Sequence, residues 1–259
     1  MLDIATIKKA YDSQFHAFDR AMMREYLQYQ ILAILFSHPL GSKLSFLGGT
    51  CLRIVHGLPR FSEDIDFDNK DLSEAEFRQL GQFLHKELEK NGYLVEIRFV
   101  TKGAFHCYIK FPDLLYQQGL SPQKGEKILI QVDTFDQKVN YESKVFILDK
   151  FDFFHQIKTT PKEVILAQKL WTITQRPRLK GRDFFDIMFL LQNTAIDPTF
   201  LQAKFGMLQI PEIITRILAE LSEVDYTQLA DDVRPFLLRP ADADKIALFP
   251  DFLKQAVDV

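Results

Sequence analysis

Asp64, Asp66 and Asp68 alternate with Ile65 and Phe67 in the stretch SEDIDFD, and Glu63 brings the acidic residues to four in six positions. Strict alternation reads as a half-buried strand with the three aspartates on one face. Residues two apart on a strand lie about 6.5–7 Å apart and point the same way, so Asp64 and Asp66 form a pair able to share one or two hard divalent cations. Magnesium takes such oxygen ligands and fills its remaining positions with water and substrate phosphates. A calcium-binding helix–loop–helix, which also begins D-x-D-x-D, requires glycine at its sixth position and glutamate at its twelfth. Asn69 and Ala75 stand there, and calcium is discarded.

Upstream, Gly48-Gly49-Thr50 follows the strand-like KLSFL and leads into a short helix, CLRIVHG, closed by Gly57. Glycines let the backbone approach a phosphate closely, and the helix N-terminus supplies free N–H groups and a favourable dipole. Thr50 adds a hydroxyl. A lone D-x-D strand is also what a sheet edge charged for solubility looks like. Strand, GGT, short helix and a second strand carrying D-x-D together point instead to a site for a phosphate and a metal.

FLGGTCLRIVHGLPRFSEDIDFD resembles the first motif of the DNA polymerase β-type nucleotidyltransferases, and more closely that of the AbiEii/AbiGii-type toxin nucleotidyltransferases. That family's pattern has GG[ST], an arginine and a serine shortly before D-x-D, and a later helical block with a lysine and an RDxxDL-like stretch. Arg60 and Ser62 stand before Asp64, and RDFFDI occupies residues 182–187. The likeness covers roughly residues 25–192. It implies an α/β (α+β) fold: a polymerase-β-like nucleotidyltransferase core with a small mixed sheet, N-terminal helices and a helical C-terminal part. It also implies magnesium-dependent transfer of NMP from an NTP to an acceptor hydroxyl, with RNA or tRNA the leading acceptor and a co-encoded antitoxin the partner, in a toxin–antitoxin or abortive-infection system. Gly48, Gly49, Thr50, Arg60, Ser62, Lys169, Arg182 and Asp183 are then the nucleotide-binding candidates. Asp64, Asp66, Asp133, Lys169 and Asp186 are the catalytic ones, with Asp64, Asp66 and Asp133 on the metal.

Asp133 enters because polymerase-type sites use a third carboxylate on a neighbouring strand. It sits among Ile128, Ile130 and Val132 in KILIQVDTFD, where it must face solvent or have a partner; Asp136, nearer a turn, is the fallback. Lys169 is the only charged residue from Val164 to Gln175. It either snorkels from an apolar helix face or, as the resemblance implies, holds the triphosphate. RPRLKGRD concentrates Arg176, Arg178, Lys180 and Arg182 in a turn that is either a solvated surface or a neutraliser of phosphates. Asp186 lies inside FFDIMFLL, where a lone charge is costly, so it is expected to fix Lys169 or an arginine.

The elements that must position these groups are legible in outline. Residues 3–37 read as helical, capped by Asp3 or Thr6; residues 72–92 form an amphipathic helix capped by Ser73. YLVEIRFVT and AFHCYIKF are strands joined near Lys102 and Gly103, and ILIQVDTF is another. After residue 150 strand character fades; Thr160 caps a helix with Pro161 at its first position, GRDFFDIMFLLQN is a second helix, and helices continue to Val259. This gives residues 1–150 as N-terminal helices plus core and 151–259 as a helical part that completes the active site. A net charge of −3 over 259 residues argues against a protein that coats nucleic acid non-specifically. Cys51 and Cys107 lie in no CxxC, the six histidines make no HxH or HExxH, and neither GxSxG nor GxxxxGK[ST] occurs. No apolar run approaches ~20 residues and no leader is evident, which predicts a cytoplasmic protein without a membrane span. The rival readings are a small-molecule nucleotidyltransferase of the antibiotic-modifying kind and a non-catalytic relative that binds a nucleotide or a partner.

Overall fold

Leu44, Ser45, Phe46 and Leu47 are all buried, as a strand covered on both faces must be. They form β1, the fifth strand across the sheet. In chain order the strands are β1 (Leu44–Leu47), β2 (Ile65–Asn69), β3 (Glu96–Val100), β4 (Phe105–Phe111), β5 (Ile128–Phe135), β6 (Lys144–Lys150) and β7 (Phe153–Thr159). The computed structural model describes residues 1–101, 103–206 and 209–256. Among these, the seven strands make one mixed sheet in the order β3-β4-β5-β2-β1-β7-β6. The β2/β5 and β1/β7 pairs are parallel, the others antiparallel.

The chain divides into two units. The first, residues 1–55, 61–138 and 143–160, holds the sheet and helices α1 (Ile4–Lys8), α2 (Asp19–Ser37), α3 (Gly48–His56), α4 (Glu74–Lys90) and α5 (Leu114–Gln117). Helix α4 opens with the expected Ser73 cap, and Glu76 completes a reciprocal capping box. Its buried stripe of Phe77, Leu80, Leu84 and Leu88 covers one face of the sheet. Gly81 lets it come close, since a Cβ there would overlap the Phe99 ring.

Three expectations are corrected. The continuous helix over residues 3–37 is two helices, capped by Asp3 and separated by a 3-10 turn at Ser13–Phe15. Strand character continues past residue 150 into a β6/β7 hairpin. This edge hairpin buries few residues, chiefly Leu148, Ile157 and Thr159, so its alternation is faint. Thr160 does not cap α6: its amide donates to the Phe46 carbonyl (2.8 Å) and its hydroxyl meets that of Ser45 (3.0 Å), which extends the β1/β7 pairing. Lys102 and residues 257–259, which the sequence places in a turn and at the end of the helical part, lie outside the described residues.

The second unit comprises residues 56–60, 139–142 and 161–259. Its helices are α6 (Lys162–Gln175), α7 (Gly181–Leu191), α8 (Pro198–Phe205), α9 (Ile210–Glu220), α10 (Tyr226–Val233) and α11 (Phe249–Gln255). Phe184 of α7 packs edge-on against Phe249 at 4.7 Å between centroids, and both are fully buried. No helix among the described residues is long and apolar enough to cross a membrane.

A buried charge ties the first unit together. Glu25 of α2 is 3% exposed and accepts from Tyr11 (2.8 Å), Arg53 of α3 (2.7 Å) and Lys150 of β6 (2.9 Å). The Arg53 guanidinium also lies over the Phe15 and Phe61 rings, at 5.1 and 4.7 Å. Burial pushes the Glu25 carboxyl up, but Arg53 and Lys150 outweigh it and hold its pKa below the ordinary 4.5. A carboxyl whose pKa is lower folded than unfolded gives stability that is complete above the unfolded value and is lost as pH falls through the folded one. Removing Glu25 leaves two cations without their anion. Glu25→Ala should therefore lower the unfolding free energy in urea at neutral pH by about 3–5 kcal/mol, and that deficit should shrink as pH drops below about 4.5. An equal deficit at pH 7 and pH 3 would contradict the assignment.

Candidate active site

β2 runs parallel to β5 with Asp66 directly opposite Asp133. Paired residues point to the same face, and neighbouring strands are about 4.8 Å apart, so the two carboxylates stand side by side. Asp64 lies two residues before Asp66, at the mouth of β2, and is half-buried. Gly48 begins α3 directly after β1, at φ +80°, and a Cβ on it would overlap the Asp66 carboxylate. A glycine is required here on two counts: the left-handed backbone and the close approach.

The backbone that enters β2 is pinned from both sides. Thr50 is fully buried, and its hydroxyl donates to the Asp64 carbonyl. Gln28 of α2, 1% exposed, donates its Nε2 to the carbonyls of Ser62 and Glu63, each at 3.0 Å. Three successive carbonyls are therefore fixed by side chains, and Asp64 is presented at a set height. Gly49, half-buried, follows Gly48 in the first turn of α3. Asp68 shares the strand but is 1% exposed; it accepts from the Gln137 amide (2.9 Å) and pairs with Lys70 (2.7 Å). Asp136 accepts from the Lys138 amide in a turn.

Asp133 has two donors that the sequence reading did not connect to it. His106 Nδ1 lies 2.7 Å from Oδ1, and Gln131 Nε2 lies 2.8 and 2.9 Å from the two carboxylate oxygens. His106 is opposite Asp133 across the antiparallel β4/β5 pair. No spacing motif marks this histidine; only the strand register places it. Both cysteines are free and buried. Burial, with a smaller effect of the Asp133 charge, pushes the Cys107 thiol up to about 12, which leaves it inert at neutral pH.

The other predicted residues form a cluster inside the second unit. Asp186 is wholly buried and takes both Nε (2.7 Å) and Nη2 (2.6 Å) of Arg60, itself only 2% exposed. Lys169 of α6 donates to Asp183 (2.9 Å) and lies 2.8 Å from Asp186. Arg176 Nε stands 2.9 Å from the other oxygen of Asp183, as an ion pair without hydrogen-bond alignment. Three cations, Arg60, Lys169 and Arg176, meet these two carboxylates. Burial lowers the Lys169 pKa, but Asp186 and Asp183 more than compensate, so its ammonium stays charged. Burial likewise raises Asp183, and Lys169 with Arg176 brings it below the ordinary range. Arg182 lies over the Phe236 ring at 5.2 Å. Lys169 is thus a bonded member of a network rather than a snorkelling side chain.

Among the described residues no three His, Cys, Asp or Glu converge in a ready metal cluster. The donor set at β2 and β5 is a pair of carboxylates open to one face. It suits a hard cation that keeps water and takes phosphate oxygens.

Two solved structures share the fold. Crystal structures of JHP933 from Helicobacter pylori and of a candidate nucleotidyltransferase from H. pylori each match with a TM-score of 0.58 at 19% identity. They cover 92% of this chain and 92% and 96% of their own. No curated protein matches in sequence. Residues 30–252 match the nucleotidyl transferase AbiEii toxins of type IV toxin–antitoxin systems. With most of its length inside that match, and with GGT, the paired aspartates and the Lys169 network in place, the chain belongs to the AbiEii toxin family and is a nucleotidyltransferase.

Proposed function

We propose that this nucleotidyltransferase moves NMP from an NTP to a hydroxyl of RNA, with tRNA as the leading acceptor, and that a co-encoded antitoxin restrains it. The observation that carries the reading is the in-register pair Asp66 and Asp133 beside the Gly48 cradle. The acceptor oxygen attacks the α-phosphorus, a new P–O bond forms, the bond to the β-phosphate bridging oxygen breaks, and pyrophosphate departs. Asp133 takes the hydroxyl proton, and His106 and Gln131 hold its carboxylate in position. Gly48, Gly49 and the first turn of α3 approach the β- and γ-phosphates through backbone N–H groups. One or two magnesium ions, held by Asp64, Asp66 and Asp133, would offset the charge that builds on the phosphates.

In the second unit, Lys169 has spent two of its three N–H bonds on Asp183 and Asp186. The third supports a role in binding the triphosphate. Asp186 and Arg60 then act as positioning residues, because each is committed to the network that fixes Lys169.

Asp64→Asn and Asp66→Asn should each keep the fold, read by circular dichroism, and each should lose transfer of label from α-labelled NTP. Full activity in either variant would remove the carboxylates from the site. Gly48→Ala displaces the Asp66 carboxylate and should cost about 100-fold in kcat/KM, the scale of a misplacement of about 1 Å; wild-type kinetics would show that the close contact is unimportant. Lys169→Ala should raise KM for NTP more than KM for the acceptor. An unchanged NTP dependence would confine Lys169 to a structural role.

A further inference from the structure

We infer that the open face of β3, β4 and β5 is the track of the acceptor, across which a single-stranded RNA end lies with its terminal hydroxyl at Asp133; this rests on the nucleotidyl transfer proposed above. Alternation gives these strands two unlike faces. Phe99, Phe105, Cys107 and Val132 turn toward α4: Phe77 meets the rings of Phe99 and Phe105, and Leu80 and Leu84 share a small cavity with Cys107 and Val132. The residues between them point the other way. The register lines up Val100, His106 and Asp133 in one row, Arg98, Tyr108 and Gln131 in the next, and Glu96, Lys110 and Leu129 in the third. The first row ends at Asp66, so the face is continuous with the carboxylate pair.

Arg98 and Tyr108 of the second row, all three residues of the third, and Ile97 and Val100 line a concavity of about 490 Å³, within the range that holds a small organic ligand. Its chemistry is that of a single-strand platform, which combines aromatic rings for stacking with cations that follow the phosphates. His106 and Tyr108 lie side by side, 6.3 Å apart and inclined by 35°. Leu129, 40% exposed, adds apolar floor. Glu96 is already held by Lys127 at 2.6 Å, whereas Arg98 is exposed and has no hydrogen bond or ion pair among the described residues. Among the groups that line the concavity, Arg98 and Lys110 stand against Glu96, an excess of one positive charge on a chain whose net charge is −3. From Leu129 to Asp133 the face runs about 13 Å along β5, enough for a few extended nucleotides. A duplex would present no base faces to the rings, so the occupant is unpaired.

The test measures binding separately from chemistry. Anisotropy of a labelled single-stranded RNA, a duplex RNA and a single-stranded DNA of the same sequence is followed with wild type, Tyr108→Ala and Arg98→Glu, and KM for RNA and for NTP is measured in parallel. The expected results are a preference for single strands, with single-stranded DNA telling whether the sugar is read, and about 10-fold weaker binding for Tyr108→Ala, the scale of one lost base stack. Arg98→Glu should weaken binding with a salt dependence shallower by about one unit of slope. KM for RNA should rise in both variants while KM for NTP stays unchanged. Wild-type RNA affinity in both variants, or preference for the duplex, would overturn the track even if transfer continues. If both variants lose RNA binding but the wild type moves no nucleotide, the track stands and the assigned reaction falls.

Discussion

Two carboxylates placed opposite one another on adjacent strands repel, and the structure around Asp66 and Asp133 is arranged to keep them there. Asp133 is offset by His106 and Gln131, which donate to it from the same face. Asp66 is held against a glycine that could bear no side chain. Asp64 reaches the site at the end of a segment whose carbonyls are fastened by Gln28 and Thr50. These are the carboxylates proposed above to meet a divalent cation and a polyphosphate. The parallel β2/β5 register is the constraint on which this depends, because a slip by one residue would turn one carboxylate to the opposite face.

Both units use the same device to hold their elements. In the first, Glu25 gathers Arg53 and Lys150; in the second, Asp183 and Asp186 gather Arg60, Lys169 and Arg176. In each network the carboxylates are buried. Such pairs are weak sources of net stability when compared with an apolar core, but removing one partner is costly. They therefore fix geometry: Arg53 sets the helix that begins at the Gly48 cradle, and Asp186 sets the lysine proposed to meet phosphate.

The grouping of the β2 and β5 carboxylates was more legible than its surroundings. GGT and D-x-D are local signals, and local steric and charge rules are enough to read them. Asp186 inside an apolar helix announces that it has a partner, but not that the partner is Arg60, 126 positions away. His106 and Gln28 carry no motif; strand register and helix packing give them their roles, and a single sequence states neither. The β6/β7 hairpin was missed because an edge with one face in solvent blurs the alternation. Thr160 was misread because a hydroxyl beside a proline resembles a helix cap as closely as it resembles the end of a strand.

The most direct test of the central claim is to follow α- and γ-labelled NTP in parallel, with magnesium and total RNA as acceptor. The account predicts α-label on the RNA, γ-label released in pyrophosphate, and one pyrophosphate per nucleotide added. Gamma-label on the acceptor, or pyrophosphate release without incorporation, would contradict nucleotidyl transfer at Asp66 and Asp133.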